Sequence, residues 1–491
     1  MSLRTALLAP LLLLPTLLAD APPHFTLLQP DLLGLGTSFT NAAADFDGDG
    51  DLDLFVGFGG TPNRLYRNDG GTLVDVAAAA GVNAARGVRS AAWADYDGDG
   101  DPDLLVGFAP GPSSVLVLYR NDGGGHFTDV TAAAGLTVAS GGVRQFSFID
   151  FDGDGDLDLS VMFRDKVNML FRNTNGTFVE MADSVGLADP RKSVGALWVD
   201  ADEDGDLDLL VANQDGDANA LFRNDGGQFT DIAESMGVAW GGRVPKLATN
   251  GSVRPCAADV DGDGHFDFFF ANYGPNGLFL KRNGTFTDAS AAWGINADGR
   301  YDTCAFADFD HDGRLDMYVN GTVTGGTSYP DFLFHNEGAT FADVTPENLK
   351  ALQADHGVLW FDIDRDGDLD LALTGAQAAG MHAVLRNDLD TAAAHRALAV
   401  RVLDGRGHAT RAGAEVRVFA AGTKTLLGTR LVDTGSGYNA QSDMPVNFGF
   451  ARMQNVDVEV IWPSNGKRTP VRVRNVAPMR YAGRALIMKV P

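Results

Sequence analysis

The chain reads as an all-β protein: a ring of seven four-stranded blades, that is a seven-bladed β-propeller, with a small β domain after it. Three observations predict this. A nine-residue acidic loop recurs seven times, its copies starting 50, 55, 50, 59, 49 and 54 residues apart. Between the loops lie short runs of strand-forming residues, and a period of this size filled with strands is that of propeller blades. Beyond about Leu389 the loop is gone and the sequence becomes richer in Arg. The long amphipathic helices that tandem EF-hands need are not present, and the period is far too long for a nine-residue calcium roll.

The first loop, Asp45-Phe46-Asp47-Gly48-Asp49-Gly50-Asp51-Leu52-Asp53, runs directly into the apolar Leu54-Phe55-Val56. Side-chain oxygens at positions 1, 3 and 5, a backbone carbonyl at position 7 and a final acid match a hard cation that takes six to eight oxygens, and glycine at position 6 permits the sharp turn. An EF-hand would wait until position 12 for its last acid; here it comes at position 9, and a strand follows. The candidate ligands are Asp45, Asp47, Asp49, Asp51 and Asp53 in the first loop, and Asp95, Asp97, Asp99, Asp101 and Asp103 in the second. The third loop offers Asp150, Asp152, Asp154, Asp156 and Asp158, and the fourth Asp200, Asp202, Asp204, Asp206 and Asp208. Asp259, Asp261, Asp263, His265 and Asp267 form the fifth, Asp308, Asp310, Asp312, Arg314 and Asp316 the sixth, and Asp362, Asp364, Asp366, Asp368 and Asp370 the seventh. Position 7 would serve through its carbonyl alone, which is why His265 and Arg314 are tolerated there. About seven Ca²⁺ are expected. An acidic solvated turn would not fix aspartate and glycine at five of nine positions seven times over.

The net charge of −27 argues against nucleic acid and anionic membrane surfaces as partners. Seven divalent cations would reduce it to about −13, so much of the acidity belongs to sites rather than to a disordered tail. At the N-terminus Arg4 and an apolar run over 6–18, broken by Pro10 and Pro15, read as a signal peptide over 1–19. No other stretch is apolar and long enough to span a bilayer, so a mature chain secreted to the periplasm or the outside is expected. Cys256 and Cys304 each precede a loop in adjacent repeats; one bridge and two buried thiols both fit.

Along one repeat, Ser90-Ala91-Ala92-Trp93-Ala94 is an inner strand of small residues suited to a crowded axis, followed by the loop at Asp95. Strands over 104–108, 115–120 and 126–130 come next, with Asn121-Asp122-Gly123-Gly124 as the hairpin turn between the last two. An Ala-rich piece over 131–136 is expected to be one helical turn ended by Gly135. The seventh repeat lacks its outer strand after Asn387-Asp388, whereas His24-Phe25-Thr26 repeats His126-Phe127-Thr128. The N-terminal strand is therefore expected to complete the last blade, leaving no open edge. The propeller spans 24–389, and the tail over 395–491 shows strand candidates at 398–403, 414–420, 429–432, 456–462 and 471–476. It reads as a separate domain, and a chain cut near Leu389 is expected to leave a folded ring.

These loops at this spacing resemble the FG-GAP or VCBS repeats of integrin-α-type propellers. The tail, with Thr434-Gly435-Ser436-Gly437-Tyr438-Asn439-Ala440-Gln441-Ser442, then Val446-Asn447-Phe448-Gly449-Phe450 and Val460-Ile461-Trp462-Pro463, resembles the UnbV/ASPIC module. Together they resemble the bacterial form of the cartilage acidic protein family, which implies extracellular binding or cell adhesion and no established reaction.

A calcium-stabilised secreted binding module, with an extracellular protein or glycan as partner, is the leading expectation. A carbohydrate-active enzyme, such as a polysaccharide lyase or hydrolase, and a structural component of an exported assembly are the alternatives. No nucleophile elbow, zincin helix or Cys/His cluster is present in the sequence, so no catalytic residue is assigned. For the partner site the basic residues just ahead of the inner strands stand out: Arg89, Arg144, Lys192, Arg254 and Arg300. They are expected around the channel mouth opposite the loops, suited to carboxylate or sulfate groups.

Overall fold

The computed structural model describes residues 23–243, 247, 249–352, 356–378 and 381–491; the signal peptide expected over 1–19 lies outside them. Blade 2 shows the repeating unit. Its strands Val88–Ala94, Asp103–Phe108, Leu116–Asn121 and Phe127–Asp129 pair antiparallel in that order, with the acidic loop joining the first two. Blades 1, 3, 4, 5 and 6 repeat this from inner strands Ser38–Ala44, Val143–Ile149, Ser193–Val199, Gly251–Ala258 and Asp298–Ala307. Blade 7 combines Val358–Phe361, Asp370–Leu373 and Ala383–Asn387 with Phe25–Leu27 from the other end of the chain, in register from Phe25↔Asn387 to Leu27↔Leu385. The inner strands neighbour one another in cyclic order, blade 7 against blade 1, so the ring closes as the sequence predicts.

Residue size explains the geometry. Ala42, Ala43 and Ala44, like Ala91 and Ala92, are fully buried on inner strands, where only small side chains let strands converge. Outward, blades pack through aromatics: Phe46, at position 2 of the first loop, stacks on Trp93 of blade 2 with centroids 6.3 Å apart, and Trp93 meets Phe127 at 6.0 Å. Cys256 and Cys304 are bridged, tying the inner strands of blades 5 and 6 together. Helical turns follow the outer strands at Ala77–Ala80, Ala182–Val185 and Ala233–Met236, each ended by a glycine with φ of 83–86°. In blade 2 the corresponding 131–135 is a turn without helix, unlike the expectation.

The tail builds two sheets of its own. One orders Val446–Gly449, Ala397–Leu403 and Leu486–Lys489; the other orders Leu426–Leu431, Glu415–Ala420, Val456–Pro463 and Arg468–Val476. Val446–Gly449 and Leu486–Lys489 were not among the expected strands. More consequential is where the tail sits. It lies on the loop face of the ring, and its core residues Val416, Val458 and Trp462 belong to one apolar cluster with Trp198, Leu207 and Phe229 of blade 4. Its connection over 432–445 runs into the central channel. There Ala440–Gln441 pairs parallel with the inner strand of blade 2, and Asp443 bridges to Ala44 of blade 1.

Small polar groups on the inner strands hold this plug. The hydroxyls of Thr40, Ser90 and Ser147 donate to the carbonyls of Tyr438, Asn439 and Thr434 at 2.9, 2.6 and 2.5 Å. The Gln441 amide accepts from Phe148 N at 2.7 Å and donates to Phe148 O at 3.0 Å. Gly437, at φ 56°, would put a Cβ 2.5 Å from Val358 O, so no larger residue passes that point unchanged. The sheets do divide near Leu389, but the separable tail expected from the sequence is revised: the tail shares a core with the ring and enters its channel.

The full chain is accordingly expected to melt in one cooperative transition. A chain ending at Leu389, stripped of plug and shared core, should aggregate or melt lower by roughly 10 °C or more; an unchanged, soluble ring in differential scanning calorimetry would contradict the shared core.

Candidate metal centres and the closed channel

Each loop is shaped by backbone N–H groups closing onto its own carboxylates. At position 9 the carboxylate accepts two of them, one per oxygen. Asp53 takes Phe46 N at 2.9 Å and Asn68 N at 2.8 Å; Asp103 takes Tyr96 N at 3.2 Å and Asn121 N at 2.8 Å. The same pair recurs at Asp158, Asp208, Asp267, Asp316 and Asp370. Position 6 glycine, at φ 89–104° in all seven loops, points its N–H at position 1, as Gly50 does to Asp45 at 3.0 Å. Position 7 N–H bonds position 5, as Asp51 does to Asp49 at 2.8 Å. These bonds turn the remaining oxygens inward.

The donor set fits a hard divalent cation. Carboxylate oxygens of Asp45, Asp47 and Asp53 lie within 4.8 Å of one another, as do those of Asp95, Asp97 and Asp99, of Asp150, Asp152 and Asp158, and of Asp200, Asp202 and Asp208. The Oδ1 atoms of Asp45, Asp95, Asp150, Asp259 and Asp362 are buried without a hydrogen-bond partner, an arrangement that costs several kcal/mol unless something positive meets it. At position 7 the side chains of Asp51, Asp156 and Asp206 turn away to accept hairpin N–H groups of Gly70, Asn175 and Gly226, which leaves the backbone carbonyl for the loop. In the sixth loop His335 contributes to the cluster of Asp310 and Asp312, a member the sequence reading missed.

Burial sets the electrostatics of the metal-free loops. It pushes Asp53 and Asp267 up to about 8, and Asp103 and Asp158 up to about 9, against the lowering effect of backbone hydrogen bonds. Asp208, Asp316 and Asp370 are driven well above the usual carboxylate range for the same reason. Position 1 follows less strongly, with Asp95, Asp150 and Asp259 at about 6.

A second set of residues, read from sequence only as hairpin turn, clasps neighbouring blades. The Asn121 amide donates to Phe46 O of the preceding loop at 2.8 Å and to Pro102 O of its own at 3.2 Å. Asn68, Asn173, Asn224, Asn336 and Asn387 make the same reach to the preceding loop. In blade 5 the position is Lys281, whose ammonium bonds Glu203 of loop 4 at 2.9 Å. Glu203 is one of three non-glycine residues at position 4, with φ 65°, and this contact offsets its strain. The recurrence of Asn after Arg was the signal; its long reach was not visible.

At the opposite mouth the five basic candidates divide. Arg89 lies over the Phe39 ring at 4.5 Å and Arg300 over Tyr273 at 4.7 Å. Arg144 donates to Val143 O at 3.2 Å, and burial lowers its pKa, with Arg89 and Arg164 adding to the effect. Lys192 is paired with Asp215 at 3.2 Å. Arg254 is corrected: at 1% exposure it sits inside the channel, bonded to Gln145 and facing Asp433 of the plug. The pleat explains this, because Arg89 and Arg144 stand six residues ahead of their loops and Arg254 five, which turns it to the other side. Tyr438 at the plug's tip closes the channel here, its ring 4.7 Å from that of His356.

Two tests follow from this geometry. A carboxyl held above its unfolded value binds more protons folded than unfolded, so its contribution is complete below about pH 4 and is lost as pH rises toward 8–9. In chelator the melting temperature should therefore fall from pH 5 to pH 9, and added calcium should abolish the fall; a metal-free melting temperature that rises over this range would refute the account. Asn121→Ala, which orphans one buried and one part-buried carbonyl, is expected to cost about 2 kcal/mol in denaturant unfolding.

The FG-GAP-like repeat family model matches residues 45–106, 108–161, 150–211, 200–270 and 259–319, and the ASPIC and UnbV model matches 405–481. Cartilage acidic protein 1 of Homo sapiens is 32% identical over 291 residues, covering 55% of this chain and 40% of the relative. The Mus musculus protein is 31% identical over 277 residues and the Xenopus tropicalis protein 29% over 280, each covering 52% of this chain and 39% of the relative. The match thus spans about two fifths of these relatives. Among solved structures, YCF48 bound to D1 peptide aligns over 76% of this chain and 97% of its own at 10% identity, with a TM-score of 0.46. With the repeat model covering more than half of its length, the chain belongs to the FG-GAP-like repeat family, carries an ASPIC and UnbV module after the repeats, and is related to cartilage acidic protein 1.

Proposed function

We propose that this is a secreted, calcium-binding adhesion module, without a catalytic step, that presents the mouth opposite its loops to an anionic glycan or acidic protein. Calcium enters as the hard dication for which seven all-oxygen loops are suited, about one per blade. Secretion accords with the Cys256–Cys304 bridge, which an oxidising compartment maintains, and with the absence, among the described residues, of any helix long and apolar enough to cross a membrane.

The observation that carries the binding site is the plug. With the chain itself entering the channel as far as Tyr438, a ligand meets a floor made by that residue and a rim that includes Arg89 and Arg144. The ring contact of Arg89 and the single backbone bond of Arg144 leave each guanidinium with several of its five donors for carboxylate or sulfate oxygens. In a chain of net charge −27, a basic rim stands out as a local well for anions.

The test is binding of a sulfated or uronic-acid polysaccharide to the calcium-loaded protein and to an Arg89→Ala, Arg144→Ala variant of unchanged melting temperature. Affinity should fall roughly tenfold or more, with a steeper salt dependence in the parent protein. Equal binding by both would remove this mouth as the site.

A further inference from the structure

We propose that the ASPIC and UnbV module supplies built-in counter-ions to the metal loops, so that its arginines and the bound cations share the same aspartates and lower each other's affinity. The inference rests on the reading of the loops as calcium sites and goes beyond it, because nothing in the repeats themselves calls for a basic partner on that face.

The module is as basic as the ring is acidic: residues 395–491 carry 15 Lys and Arg against 6 Asp and Glu. It sets basic side chains, two arginines and a histidine, against position 1 of successive loops. Arg411 Nη1 lies 3.6 Å from Asp150 Oδ2, Arg468 Nη1 lies 2.7 Å from Asp200 Oδ2, and His408 Nδ1 approaches Asp95 Oδ2 at 4.0 Å. The hairpin beside Arg468 adds Gly466 N to Asp206 Oδ1 at 2.8 Å.

The module faces Oδ2 of Asp95 and Asp150, while Oδ1 of the same residues is buried with no partner. At Asp95 and Asp150 the carboxylate therefore bridges, giving one oxygen to the module and keeping the other for the loop interior; at Asp200 Oδ2 goes to Arg468 while Oδ1 stays with the loop, accepting Gly205 N at 3.4 Å. Both groups are held in place from the module's side. Arg411 lies over the Trp462 ring at 4.9 Å and bonds Thr410 Oγ1 at 2.9 Å, and Arg468 also bonds Glu415. The arginine and the cation can thus be present together without contact, yet each diminishes the negative charge that attracts the other. By reciprocity, calcium weakens the module's ionic grip by the factor by which the module weakens calcium.

The experiment uses the full chain with calcium as the probe. Free calcium at half-saturation is measured by equilibrium dialysis for the parent, Arg468→Gln, Arg468→Lys and the Arg411→Gln, Arg468→Gln double variant, together with the melting temperature in chelator. Arg468→Gln should tighten the weakest-binding sites roughly 3- to 10-fold while lowering the metal-free melting temperature, and the double variant should do more. Arg468→Lys, which keeps the charge, should bind calcium as the parent does. If the double variant does not fold, the Gln and Lys variants of Arg468 decide alone. Unchanged or weaker calcium binding by Arg468→Gln, or a Lys variant that behaves like Gln, overturns the counter-ion role. A parent chain that binds no calcium would overturn it together with the calcium reading, whereas calcium binding indifferent to Arg468 overturns this inference alone.

Discussion

The structure depends on one hydrogen-bonded unit, the buried aspartate that ends each loop. Its two oxygens accept N–H groups from two places, the start of the loop and the end of the third strand, so loop, second strand and third strand are fixed by a single carboxylate. The Asn that donates this second N–H extends its own amide to the loop of the preceding blade. Local loop geometry and blade-to-blade spacing are thereby one network, repeated around the ring. Where blade 5 departs from it with Lys281, the loop of blade 4 departs too, with Glu203, and an ion pair of 2.9 Å replaces the amide clasp.

Charge organises the molecule at a larger scale. The acidic loops all open on one face, and the basic module lies on that face with part of its backbone driven down the axis. Asp433 shows how the descent is made tolerable. It accepts from Gly435 N, Ser436 Oγ and Ser442 N at 2.7–2.8 Å, closing the plug on itself before it reaches the inner strands. The inner-strand hydroxyls then satisfy its carbonyls, so a polar segment is accommodated in the ring with its hydrogen bonds made.

Much of this was legible in the sequence. The loops, the strand order and the completion of blade 7 by Phe25–Leu27 all follow from a repeat that registers each element against six others. What could not be read were contacts made only once. Thr40, Ser90 and Ser147 look like small residues chosen for a tight axis, and they are that; their hydroxyls also bind a segment some 290–400 residues away, for which no periodicity exists. Arg254 was misplaced because a basic residue near the start of an inner strand can face the rim or the channel, and a one-residue offset decides between them. The arginine-rich tail announced its charge but not its target, since Arg411 and Arg468 meet Asp150 and Asp200 through folding of the module rather than through any local motif.

Ring closure and plug together constrain how the molecule can be made. The strand pairing that completes blade 7 joins residues about 360 apart, and Thr40 bonds Tyr438 across 398 positions. Chains dominated by such distant contacts fold slowly, because loop closure must be completed before the contacts reward it. A nascent chain lacking its last hundred residues has an open axis and an uncovered apolar face, however many blades it has formed. Its assembly is therefore a late event that waits for nearly the whole polypeptide, and until then the half-built ring is a substrate for chaperones and proteases rather than a working protein.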